Sequence, residues 1–306
     1  MIPVLQALGT DLIIYVPKGT YFSLTNSPYP THILSSATDI YPKEPYMPCE
    51  YGVVERVIKF QPPRFRVDAD DYDYVILIKS RGYYLKILHV KPSVKVGDAL
   101  KLGDYLGNYL ISGYFRPWSS KHMHVEVRRL NDPLRALGSI DLVPTNYLMK
   151  YLRSLRPCRD LRFKVVSNEG TYYLVEPMGC DVIHAELGSS CHGVLDSGIP
   201  HYGVGGILVV NGELSSVGDD LVINGDVVGK ALTTYPKRSL IITLFSKGFK
   251  IGNYLVGLGT YLMSRYFKLV PLNGDVKLGI GEVIELSTSE VKVKLPKWVS
   301  RLLGRG

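Results

Sequence analysis

"SSKHMHVEVRR", Ser119 to Arg129, is the stretch on which the reading of the fold turns. Its polar and apolar residues alternate with a period of two. As a strand it projects His122, His124, Glu126 and Arg128 to one face and Met123, Val125 and Val127 to the other. One face packs; the other carries chemistry. Two imidazoles one strand step apart can meet a single ion, or one can bind it while its neighbour handles protons.

The chain around this stretch is β-rich. Runs such as "YDYVILIKS", "YYLKILHV", "GGILVVNG" and "SEVKVKL" set β-branched and aromatic residues between turn signals, and glycine and tyrosine are abundant, at 30 and 22 residues. With 306 residues, 46% of them hydrophobic, the chain is long enough for two domains. We place the first at residues 1–156 and a second β-rich domain at 157–306. Within the first, "DADDYD" reads as a solvated hairpin loop, because it lacks the spaced glycine and distal glutamate of a calcium loop. "RG" is the turn between "YVILIKS" and "YYLKILHV", and "VKVGDALKLGDYLGN" reads as two consecutive tight turns. "NDPLRAL" is expected to form a short helix with Asp132 as N-cap and Pro133 at its first position. "TNYLMKYLRSLR" spaces Leu148, Leu152 and Leu155 along one helical face behind a Thr145 cap, which reads as the helix closing the first domain. The tail "LPKWVSRLLGRG" has the pattern of a short basic amphipathic helix carrying Trp298, Leu302 and Leu303, expected to dock on its own domain.

A formal charge of +8 suits an acidic partner. Nucleic acid is not the expected one, since there is no RNP-type aromatic signature, no zinc-finger spacing and no dense basic run. The first residues show neither a signal peptide nor a transmembrane segment, so a cytoplasmic protein, or a viral one released by lysis, is expected. Scarce glutamine with plentiful Lys, Glu and Arg is a bias associated with thermophiles. The four cysteines form no CxxC pair. In a reducing cytosol they read as buried thiols; in a thermophile Cys180 and Cys191 are the pair to bridge. The second-half group Cys180, His184, Cys191, His192 and His201 fits no standard metal spacing.

Four of the seven histidines stand in informative places: His32 in "YPTHILSSATDIYP", His89 in "LKILHVKP", and the pair His122 and His124. Asp39 follows His32 after six intervening residues. Two imidazoles and a carboxylate make a three-ligand site with one position left open, the arrangement of catalytic zinc. The ordered set of a His and Asp pair, "YGVVERV", a lone His ending a strand before "VKVGDALKLGDYLGN", and a final "HMHVEVR" resembles the lysostaphin and LytM type zinc metallopeptidases. The resemblance runs from about Thr31 to Leu137.

That resemblance implies an antiparallel β-sandwich of the duplicated hybrid, lipoyl-like type with short helices. It implies Zn2+ held by His32, Asp39 and His124, with His89 and His122 as catalytic histidines that orient a water, take its proton and stabilise the oxyanion. The implied activity is zinc-dependent endopeptidase hydrolysis, with a peptide or cell-wall peptide as substrate. Glu126 shares the face of the pair and either fixes an imidazole tautomer or makes a salt bridge with Arg128 or a neighbour. The sequence departs from the family text at Ile87, where a tyrosine is usual, and in the His32 to Asp39 gap, where three residues are usual. The competing reading is a binding module that keeps the fold, and the metal, without turnover.

Overall fold

The Arg81-Gly82 turn sets the register of the first sheet. Both residues have positive φ, 49° and 80°, as a two-residue hairpin turn with the right twist demands, and the glycine adopts this at no steric cost. Ser80 therefore pairs with Tyr83, and the strands Asp73–Ser80 and Tyr83–Leu88 run back until Val75 lies opposite Leu88. The computed structural model describes residues 1–293 together with Leu295 and Val299. The expected tail helix, with Trp298, Leu302 and Leu303, lies outside the described residues. Strands make up 47% and helix 6%, so the protein is mainly β.

Contacts divide the chain into two units, Met1–Ser23 with Leu34–Leu148, and Leu24–Ile33 with Met149–Gly306. In the first, seven antiparallel strands lie in the order Phe22–Ser23, Ala37–Ile40, Met123–Arg129, Tyr83–Leu88, Asp73–Ser80, Tyr51–Phe60 and Ala99–Lys101. The histidine strand Met123–Arg129 is thus interior, with Ala37–Ile40 on one side and Tyr83–Leu88 on the other. Register does the positioning, because His124 lies opposite Asp39 on one neighbour and opposite Leu88, the residue before His89, on the other. Ile76, Ile78, Leu85, Ile87, Met123, Val125 and Val127 are fully or almost fully buried. The polar face of the histidine strand is buried too, with Glu126 at 3% and Arg128 at 0% exposure. An inward-facing charge demands partners, and the strand's chemistry follows from how they are supplied.

The tandem turns form as their sequence predicts. Gly97 and Gly103 take positive φ, and the aspartates after them accept the backbone N–H of Lys95 and Lys101 at 2.8 and 2.7 Å. Thr145 caps the helix Asn146–Ser154, its Oγ1 accepting the N–H of Leu148 at 3.2 Å while Leu148 and Leu152 are buried. The helix expected at "NDPLRAL" does not form. Arg128 claims that segment instead: its Nε donates to the Asp132 carbonyl, its Nη2 to the Leu137 carbonyl and to the Asp132 carboxylate at 2.9 Å. Asp132 also takes two bonds from Arg135, and its carboxyl is pulled down to about 2 by Arg135, then Arg128, against the effect of burial, so it is engaged by guanidinium groups and not by a helix N-terminus.

In the second unit a thirteen-stranded sheet surrounds a core that includes Phe163, Phe249, Phe267 and Ile207. Its disulfide joins Cys158 to Cys180, and Cys191 and Cys49 are free and buried, so the expected Cys180 to Cys191 pairing is corrected. The reason is backbone pairing: Pro157 bridges Val182 and the N–H of Cys158 donates to the Val182 carbonyl at 2.9 Å, bringing Cys158 alongside Cys180. Cys191 begins the core strand Cys191–Ile199 and faces apolar neighbours.

Candidate metal centre

Asp39 comes from the strand beside His124, and His32 from the short helix Pro30–Ile33 seven residues earlier in the chain. One ligand atom from each of His32, Asp39 and His124 can be chosen so that all lie within 4.8 Å of one another. This is the one such group of His, Cys, Asp or Glu among the described residues, and the second-half group of cysteines and histidines forms none. All three residues are buried, at 1%, 5% and 9% exposure.

For His32 hydrogen bonding fixes which nitrogen carries the lone pair. His32 Nδ1 lies 2.8 Å from the carbonyl of Leu24; a carbonyl only accepts, so Nδ1 carries the proton and the lone pair is on Nε2. His124 has a carboxylate on each side, Asp39 Oδ1 at 2.9 Å from Nδ1 and Glu126 Oε1 at 3.1 Å from Nε2. With the ring proton on Nε2, donated to Glu126, Nδ1 and Asp39 face each other as two acceptors. Such a pair requires a cation. Without a metal that cation is a second proton: burial opposes it, but Asp39 and Glu126 outweigh burial and hold the His124 pKa up to about 9. The donor set is one that a divalent ion could take, with Nε2 of His32, the carboxylate of Asp39 and Nδ1 of His124 as the ligand atoms.

Glu126 satisfies both of its alternatives at once. It meets His124, accepts from Arg128 Nη1 at 3.2 Å and from Lys86 Nζ at 3.0 Å, and takes the hydroxyl of Ser139. Burial raises its carboxyl, but these partners, His124 foremost, bring it down to about 2. A charged Glu126 thus holds the His124 tautomer from behind.

His89 and His122 stand beside the cluster with ring centroids 5.3 Å apart, edge to face. Phe115 stacks on His122 at 4.5 Å, Tyr41 lies 5.1 Å from it, and Tyr21 stacks on Tyr41. Burial among these rings pushes the His122 pKa down to about 4, so it is neutral. Its Nδ1 donates to the Ser120 carbonyl at 2.8 Å, and its Nε2 is 3.4 Å from Asp39 Oδ2.

Sequence reading overlooked Asp73. It is the last residue of "DADDYD", which was expected to be a solvated loop, yet it is fully buried and begins the strand Asp73–Ser80. Its Oδ2 lies 2.6 Å from His89 Nδ1 and accepts the Ser112 hydroxyl at 2.6 Å. Burial works against its ionisation, but His89 and Ser112 keep its carboxyl below the ordinary range. The available signal was the hairpin register: a turn at Arg81-Gly82 carries Asp73 to the flank of His89.

Residues 14–144, which span the whole of this sheet, match a family described as Domain of unknown function (DUF8155) N-terminal domain. No curated protein and no solved structure matches the chain. No helix among the described residues is long and apolar enough to cross a membrane.

Proposed function

We propose that this protein is a zinc-dependent endopeptidase of the lysostaphin and LytM type, its first unit a sandwich of the duplicated hybrid kind. The observation that carries the reading is the convergence of His32, Asp39 and His124 on one point, with two further histidines, His89 and His122, beside them. Two imidazoles and a carboxylate are a donor set that zinc accepts with a position to spare. Bound there, zinc would polarise a carbonyl and make a water more acidic. The chain's own residues do the rest. Nε2 of His32, Nδ1 of His124 and the Asp39 carboxylate hold the ion, and Glu126 keeps Nε2 of His124 occupied so that Nδ1 faces it. Between them His89 and His122 orient the attacking water and see its proton passed to the departing amine. Phe115, Tyr41 and Tyr114 line this end of the site and exclude bulk water.

Cell-wall peptides, whose cross-links relatives cut, are the proposed substrate, met in the cytoplasm of its own cell or after release by lysis if the source is viral. The low exposure of every site histidine favours a second reading, a metal-holding module without turnover. Purified protein loaded with one equivalent of zinc and offered mixed wall peptides discriminates. The first reading predicts new amine termini, abolished by a chelator and restored by zinc; zinc retention with no cleavage under any of these conditions supports the second.

A further inference from the structure

We propose that Asp73 is a positioning residue that makes His89, rather than His122, the imidazole that carries the proton, with Nε2 of His89 as the receiving atom. This rests on the peptidase reading above for its role, though not for its geometry. Asp73 grips His89 twice. Oδ2 takes the ring Nδ1–H at 2.6 Å and Oδ1 takes the backbone N–H at 3.0 Å, while Oδ1 also accepts from Tyr74 N and Oδ2 from Ser112. A carboxylate only accepts, so the ring proton is fixed on Nδ1 and the lone pair is presented by Nε2.

A second observation agrees. His89 has φ of 69°, in the left-handed region that residues with a side chain seldom adopt. Residues in that state cluster at functional sites and persist where their surroundings over-determine them. Here the surroundings are visible: the backbone N–H is held by Asp73 and the carbonyl by the N–H of Leu110 at 3.4 Å.

His122 is built differently. Its Nδ1 donates to a neutral backbone carbonyl, so its tautomer is fixed but no negative charge stands behind the ring. The carboxylate near its other nitrogen, Asp39, also faces His124 and belongs to the metal cluster. When an imidazole takes a proton, the new charge is therefore compensated at His89 by a carboxylate that faces no metal ligand, Asp73, and at His122 by a backbone dipole and a carboxylate, Asp39, already shared with His124 and the metal cluster. Two adjacent imidazolium rings repel, so one site suffices. In the step, the water oxygen bonds to the carbonyl carbon and its proton passes to His89 Nε2. The C–N bond then breaks with its electron pair on nitrogen, and that nitrogen receives the same proton. His122 stays neutral and orients the reacting groups.

The test begins on the whole, unaltered chain. Long-range proton–nitrogen NMR of 15N-labelled protein, with His89 assigned by its disappearance in His89→Gln, should show the ring proton on Nδ1 and none on Nε2. In Asp73→Asn that preference should be lost, zinc should stay near one per chain and turnover should fall roughly 10²- to 10⁴-fold. Ser112→Ala should cost less than tenfold and keep the ring proton on Nδ1. A His89 ring proton on Nε2 in the unaltered protein overturns the proposal whether or not any variant folds. So does an Asp73→Asn enzyme that turns over at the unaltered rate. A correct tautomer in a protein that cleaves no peptide upholds the geometry and sinks the peptidase reading instead.

Discussion

Glu126 shows how one residue can be committed in several directions at once. It receives His124, Lys86, Arg128 and Ser139, and at 3% exposure it has no water to fall back on. A buried ion pair contributes little net stability when intact, but removing one partner strands the other. Glu126→Ala leaves Lys86 and Arg128, both buried, facing each other without the shared carboxylate. Chemical denaturation should show a loss of about 3–5 kcal/mol. Glu126→Gln, which keeps the volume and one acceptor, should lose less stability while weakening zinc binding by roughly 10- to 100-fold, because its amide no longer holds the His124 tautomer. Equal stability losses in the two variants would show that packing, not charge, is what Glu126 supplies.

At the scale of the element, the histidine strand is legible because alternation with a period of two has one structural meaning, and both faces follow from it. The residues that its pattern placed together, His122, His124 and Glu126, do share a face. The tandem glycine turns and the Thr145 cap are legible for the same reason: a local conformation is written in local residues. What the pattern does not carry is the neighbour. Arg128 reads from the strand only as a salt-bridge candidate for Glu126, yet it is fully buried and folds the next segment around itself, which is why "NDPLRAL" is not helical. Asp73 is lost among three other aspartates until the hairpin register shows which of them is turned inward. Cys158 finds Cys180 through a bridge between Pro157 and Val182 that no spacing announces.

Over the whole molecule, a buried lysine in the second unit ties folding to pH. Lys268 is 3% exposed, its ammonium over the ring of Tyr172 at 4.5 Å and near that of Tyr261, and burial depresses its pKa to about 7 against the opposing pull of Glu169. The unfolded chain holds that proton up to its ordinary value of 10.5. Between these limits the unfolded state binds the proton and the folded state does not, so raising the pH favours folding; below about 7 both states bind it and the penalty is constant. Urea unfolding of the full chain should become harder from pH 7.5 to 9.5, and Lys268→Met should flatten that slope; an equal slope in the variant would assign it to other groups.

The central claim is that the chain holds one zinc through His32, Asp39 and His124 while His89 and His122 serve the reaction. Zinc content of the folded full-length chain, measured beside His124→Ala and His122→Ala after dialysis against a weak chelator, tests it most directly. The account predicts about one zinc per chain in the unaltered protein and in His122→Ala, and a small fraction of that in His124→Ala. Equal retention in His124→Ala, or loss in His122→Ala as complete as in His124→Ala, would contradict it.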